Sequence, residues 1–317
     1  MSAAAPAATT PAAATPAQPK PEKVPGPQSW AELKETLVRS GKRALGGGVA
    51  GASAMALQVL TLMWMRTIMN YQYRYGTTFK QAAQTLYKEG GIPRFYKGLI
   101  PALAQGPLSR FGDTASNAGT LALLNSFSAT KDLAVPVKTM CASSAAALFR
   151  ICLMPIDTFK TVLQVEGSKG LPILMNKFRA NGFPVFFHGA LAASAATFAG
   201  HLPWFTTYNF LDARLPVQTD PFKKLLRSAG MGFCSSVISD SISNSIRVVK
   251  TYRQTSAEKV SYPQAVKNII ESDGVLGLMG RGLKTRILTN GAQGLMFSVL
   301  WRYFDEKIQA SRAPKAL

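Results

Sequence analysis

Histidine is nearly absent from this 317-residue chain, with two copies, and acids are scarce, 16 against 36 Lys and Arg, giving a formal net charge of +20. Charged residues make up 16% of the chain, against roughly 25% in soluble domains. That shortage argues against the two soluble domains that length alone suggests. Cysteine is rare as well: Cys141, Cys152 and Cys234 lie in apolar stretches, an odd set that is uninformative for disulfides and predicts buried free thiols by default. No cluster has metal-ligand spacing, no nucleophile constellation is present, and Gly46-Gly47-Gly48 lacks the Lys that completes a phosphate loop. A metal, a cofactor and an enzymatic role are therefore not expected. No soluble basic module accompanies the positive charge, so nucleic acid is not expected as a partner. Basic loops beside a membrane, holding anionic lipid, account for the charge instead. Residues 1–28 contain no Arg and consist mostly of Ala, Pro and Thr. That composition makes a poor cleavable presequence and predicts a disordered tail over 1–38.

Long apolar runs are what the chain does have. The first, 44–65, carries no charge, and others run about 99–125, 137–159, 189–211, 225–249 and 283–304. A hydrocarbon layer of ~30 Å needs about 20 helical residues. Lipid also demands a backbone satisfied within each segment, which favours helix over strand. Gly47 and Gly51, four apart, permit close helix contact in a membrane. Shorter amphipathic pieces near 78–88, 170–180 and 262–272 suit helices lying at the interface. Trp64 and Trp204 are expected to pack or to mark that interface. The fold class expected is an all-α membrane protein with six transmembrane helices.

Internal similarity organises these runs. Phe95-Tyr96-Lys97-Gly98-Leu99, Phe186-Phe187-His188-Gly189-Ala190 and Met279-Gly280-Arg281-Gly282-Leu283 place their glycines 91 and 93 residues apart. Each follows an upstream glycine: Gly90-Gly91, Gly182 and Gly274. A second landmark, Pro155-Ile156-Asp157-Thr158-Phe159-Lys160, aligns with Ser245 to Lys250 and with Leu60 to Met65, at spacings of 90 and 95 residues. Two independent landmarks share one period. The division expected is a tail to 38, then repeats at 39–130, 131–218 and 219–317, the last including the C-terminal tail.

Pro155-x-Asp157-x-x-Lys160, followed by Gln164, resembles the signature that ends each odd-numbered helix in the mitochondrial carrier family. The aromatic-base-Gly landmarks resemble the start of each even-numbered helix in that family. The resemblance covers about residues 40–308. It implies three pseudo-symmetric repeats, each with a short matrix-side interfacial helix, around a central cavity. Such proteins exchange small, usually anionic metabolites across the mitochondrial inner membrane by alternating access, with both termini toward the intermembrane space. It implies cardiolipin or other anionic lipid at Gly98, Gly182, Gly189, Gly274 and Gly282, a role compatible with helix N-termini that attract phosphate; tight turns are the alternative use of these glycines.

The resemblance also implies a matrix gate of acid–base pairs. Here it offers Asp157, Lys160, Arg247 and Lys250, with apolar Leu62 and Met65 in the first repeat. One acid faces three bases, so at most one or two close pairings are expected, and Pro155 alone should kink its helix. The second gate is thin too: Phe304-Asp305 has Ile308 where a base is expected, and Tyr208-Asn209 has Asp212 there.

Ionisable residues inside a span are functional suspects. Arg150 and Asp240 each lie ten residues before their signature Lys, close to three turns, so both are expected to face the cavity, where they could pair. Arg110 and Asp113 share a helix face. His201 lies 12 residues past Gly189, as Arg110 does past Gly98; it could bind substrate, sense a proton or hydrogen-bond a neighbour. Gln105, Asn290 and Gln293 fall in the zone where the family's substrate contacts lie. Two functions remain open. One is a carrier for a small anionic solute. The other is a non-transporting carrier-fold subunit of a respiratory complex, motivated by the eroded gates and the long tail.

Overall fold

The computed structural model describes the backbone of residues 30–126, 130–133 and 135–312. Among the described residues the structure is all-helical, with no strand. The long helices are α1 (Trp30–Tyr75), α3 (Leu99–Ser126), α4 (Val135–Cys152), α5 (Met154–Glu166), α7 (Ala190–Arg214), α8 (Pro221–Thr255) and α10 (Leu283–Arg312). Three further helices connect the members of this set: α2 (Phe79–Phe95), α6 (Gly170–Asn181) and α9 (Tyr262–Gly280). These occupy the stretches expected to be amphipathic. Polar caps start two of them, Thr78 accepting from Gln81 N and Ser261 from Gln264 N. The long helices pack in chain order and α10 returns to α1, so they close a ring.

Three differences from the expected layout have physical causes. The helix α1 begins at Trp30, inside the segment expected to be tail, because Trp30, Leu33 and Leu37 repeat at helical spacing. The break near Pro155 comes just before it: α4 ends at Cys152, Leu153 caps α5, and Pro155 sits in the first turn of α5, where a missing N–H costs little. The segments on either side, Met140–Cys152 and Met154–Asn181, are bent by 62°. At the aligned positions Leu60 and Ser245, α1 and α8 run on without a break. The cysteines are free thiols, but Cys152 and Cys234 are exposed and Cys141 half-buried. Their apolar neighbourhoods belong to outward helix faces, which hydropathy cannot tell from a core.

Among the described residues, 183–214 is long and apolar enough to cross a membrane, and the bent pair 140–152 and 154–181 qualifies jointly. Other helices of the ring carry polar residues, and those of α1, α5, α8 and α10 turn toward one cavity.

The corners of the ring interlock. Gly282 (φ 63°) precedes α10 and lies against α1, where a β-carbon would meet the Tyr73 ring at 2.8 Å. Only glycine combines that backbone angle with that approach. Gly98 meets Lys160 O of α5 in the same way, and Gly189 meets Lys250 and Gln254 of α8. Three cations reinforce these seats by donating to the carbonyls that end the long helices. Arg94 donates to Gln164 O (2.8 Å) and Val165 O (2.6 Å) of α5. Lys177 donates to Ser256 O just past α8 (2.7 Å). Arg281 donates to Tyr73 O (3.4 Å) and Arg74 O (3.3 Å) of α1. Arg94 and Arg281 are themselves held by Glu89 and Asp273, each at 2.8 Å. Behind the α8–α9 corner, Tyr73, Val248, Ala265 and Ile269 form a buried cluster.

Candidate functional site: a polar central cavity

The ring encloses a cavity of about 280 Å³ to which every long helix contributes. From α1, Arg66, Asn70 and Tyr73 line it at i, i+4 and i+7, one stripe of a helix. The α4–α5 pair presents Arg150, Asp157, Lys160, Thr161 and Gln164. Arg247, Lys250 and Thr251 enter from α8, and Arg286, Thr289 and Asn290 from α10. Gln105 of α3 and Thr197 of α7 complete the polar lining.

Asp157 is the electrostatic centre at one end. Its Oδ1 is 2.8 Å from Lys160 Nζ and its Oδ2 is 2.6 Å from Lys250 Nζ, so one carboxylate joins α5 to α8. Gln105 Nε2 donates to Oδ1 at 2.8 Å and ties in α3. Asp157 is 5% exposed. A carboxylate so buried is tolerable only with this density of donors.

Asp240 forms a second centre, fully buried between α8 and α10. Its Oδ1 is 2.7 Å from Arg286 Nε, and Asn290 Nδ2 donates to Oδ2. Arg286 also reaches Tyr73 Oη at 3.5 Å, and Tyr73 donates to Asn244 Oδ1 at 3.0 Å. Asp240 therefore pairs with α10, where a partner on α4 had been an open choice. Ten residues make 2.8 turns, about 80° short of three, so Asp240 is rotated off the face of Lys250. Arg150 lines the cavity because the helix breaks between it and Lys160; its Nη1 is 3.5 Å from Thr197 Oγ1.

Of the other expected cavity residues, Gln105 and Asn290 lie in the lining. Gln293 is buried behind it and accepts from Arg66 Nη2 at 2.7 Å. His201, on α7, is buried outside the lining, with Nδ1 3.3 Å from Ser143 Oγ and its ring edge-on to Phe205. The side chains of Arg110 and Asp113 lie outside the described residues, as do those of Asp305 and Ile308. Asp212 pairs with Arg227 at 2.7 Å on the outer surface. Trp204 stacks on Tyr208, a packing role.

Sequence reading missed Arg66, Asn70, Tyr73 and Arg286. The positions of α1 aligned with Asp157 and Lys160 are the apolar Leu62 and Met65, and Met65 is buried. The adjacent Arg66 carries the charge on the helical stripe 66–70–73. Arg286 was legible as an ionisable residue inside an apolar run.

A family model for mitochondrial carrier proteins matches residues 131–218. The chain is similar to the chloroplastic mitoferrin-like protein 1 of Arabidopsis thaliana, at 28% identity over 169 residues, 52% of this chain and 40% of that one. It is also similar to the mitochondrial carnitine carrier of Saccharomyces cerevisiae, at 32% over 165 residues, 47% and 50% of the two chains. A mitochondrial carrier-like protein of Acanthamoeba polyphaga mimivirus is 25% identical over 160 residues, 50% of this chain and 62% of that one. The matches thus span about half the length of these relatives.

Proposed function

We propose that this chain, which belongs to the mitochondrial carrier family, moves a small anionic solute through its central cavity by alternating access. The family consists of transporters, and a carrier-type transporter is the role its relatives support. One observation carries the anionic reading. Six cations, Arg66, Arg150, Lys160, Arg247, Lys250 and Arg286, line the cavity with one carboxylate, Asp157.

In this reading the long helices form six membrane spans in three repeats, 39–130, 131–218 and 219–317, with α4 and α5 as one broken span. Their polar stripes face the cavity and their apolar faces meet lipid, which reconciles mixed hydropathy with membrane crossing. Exposed Ile100, Leu191, Leu202 and Leu288 suit a lipid-facing surface. The short helices α2, α6 and α9 lie at the matrix interface of the inner membrane, and both termini face the intermembrane space. Asp157, Lys160, Arg247 and Lys250 form the matrix-side closure. Backbone N–H groups near Gly98, Gly182, Gly189, Gly274 and Gly282 bind cardiolipin or other anionic lipid. The comparisons do not favour the respiratory-complex subunit reading.

The test is exchange in proteoliposomes containing the full chain and cardiolipin, with carboxylates, phosphorylated solutes and amino acids offered in turn. Accumulation of an anionic class against internal solute is expected. Folded protein that exchanges none of them would sink the reading.

A further inference from the structure

The helices α1, α5 and α8 touch one another in every pair, yet at the level of the gate residues one pair alone is joined by charge. Asp157 of α5 meets Lys250 of α8 at 2.6 Å. On α1 the aligned positions are Leu62 and Met65, side chains that can hold no ion pair. The gaps from α1 to α5 and from α1 to α8 therefore lack the closure that the α5–α8 gap has.

Polar contacts to both helices reappear at the end of α1. Arg74 and Tyr75 lie 9 and 10 residues past Met65, about 15 Å further along the helix. Tyr75 Oη donates to Oε1 of Glu166, the last residue of α5, at 2.8 Å. The Tyr75 ring lies against Tyr71 one turn back, with centroids 4.6 Å apart, a contact that orients the hydroxyl. Arg74 stands 4.3 Å over the ring centroid of Tyr252, in the last turn of α8. Two adjacent residues thus reach the two helices that the gate positions of α1 cannot.

These contacts differ from the others that α1 makes nearby. Tyr73 is buried in the corner against Gly282, a fixed seat, and Asn70 meets Gln164 inside the cavity. Tyr75 is 43% exposed, so water can replace its bond when the helices part, and the net cost of parting is small. Glu166 is poorly placed by helix electrostatics, since the C-terminal end of a helix disfavours a carboxylate. Accepting from Tyr75 gives that carboxylate a use there.

We propose, resting on the transport reading, that Tyr75 and Arg74 form a second closure of the matrix mouth. Tyr75 fastens α1 to α5 through Glu166, and Arg74 fastens α1 to α8 through Tyr252. They serve the two gaps in which the first repeat supplies no gate charge. Both arms leave one turn of α1, so a single tilt of that helix frees both, while Asp157 and Lys250 remain a separate catch in the third gap.

The experiment measures the mouth directly, by pulsed electron–electron resonance on the full chain in cardiolipin-containing liposomes. The parent carries Cys141→Ala, Cys152→Ala and Cys234→Ala. Spin labels are placed on Lys80→Cys with Lys169→Cys for the α1–α5 gap, and on Lys80→Cys with Lys259→Cys for the α1–α8 gap; all three sites are exposed. Tyr75→Phe and Glu166→Ala each raise the ratio of long to short distances across the first gap by about three- to tenfold. Glu166→Gln, which keeps an acceptor for the hydroxyl, stays near the parent. Arg74→Gln raises the ratio across the second gap by about two- to fivefold, and Arg74→Lys, which keeps a cation over the ring, does so less. Lys267→Gln, exposed on α9, changes neither. Thermal melts of the same variants separate a closure from a merely structural contact, which would lower the midpoint and leave the distances unmoved. Unmoved distances in both Tyr75→Phe and Arg74→Gln overturn the inference. Shifted distances in protein that exchanges no solute would leave it standing and sink the transport reading. Exchange with unmoved distances would do the reverse.

Discussion

The α4–α5 segment and its counterparts α1 and α8 occupy corresponding places in the ring but solve the entry to the cavity differently. The first is broken at Leu153, carries Pro155 in the first turn of α5, and supplies an acid, Asp157, that two lysines share. The other two are unbroken, over 46 residues in α1 and 35 in α8, and at the matching level they supply Arg66 and Arg247. One segment brings its own counter-charge and the other two do not. Local polar balance and local helix geometry thus vary together among these three segments.

Removing the acid breaks this contrast most severely. Asp157→Asn leaves Lys160 and Lys250 without a carboxylate, and loss of one partner from a buried pair costs about 3–5 kcal/mol. A large fall in the unfolding midpoint in detergent is expected; an unchanged midpoint would show that the lysines find other partners. Next, Ser245→Pro places in α8 the residue that α5 carries. In mid-helix it removes a backbone hydrogen bond at a cost of about 3 kcal/mol. The reciprocal Pro155→Ala should cost well under 1 kcal/mol, because a first-turn proline supports no such bond. Comparable losses from the two changes would erase the distinction drawn here.

Gly282→Ala tests the seat on α1: a methyl at 2.8 Å from the Tyr73 ring, at φ 63°, should cost about 1–3 kcal/mol. The smallest effect concerns Lys177, outside the spans on α6. Burial, then Arg253 and Arg74, lower its pKa from 10.5 to about 8. The folded state therefore binds fewer protons than the unfolded chain between those values, and stability contributed by this group rises from pH 8 toward 10.5. Below pH 8 the burial penalty is fully present. Thermal melts should show that rise, and Lys177→Met should flatten it; a rise that persists would move the origin elsewhere.

Much of this organisation was legible in the sequence. Helix positions followed from run length, because a satisfied backbone leaves few alternatives to a long apolar run. Helix ends were less legible. Polar extensions such as Trp30–Val38 and Arg66–Tyr75 continue the helix beyond the apolar stretch 44–65 that hydropathy marks. The Asp157–Lys160–Lys250 cluster was accessible because its spacing is a motif. Asp240 with Arg286 was not, since it joins residues 46 apart on different helices, and only the packing of α8 on α10 brings them together. Arg66 escaped because alignment by period fixed attention on Met65, one residue and about 100° away around the helix.

The seats at the corners have a mechanical meaning. Arg94, Lys177 and Arg281 each hold the backbone end of the next long helix round the circle, by its carbonyls. A helix gripped in this way cannot tilt without dragging its neighbour's corner, and that corner holds the helix after it. The three corners are thus coupled in a circle, so a change in the tilt of any one of these helices would load the other two.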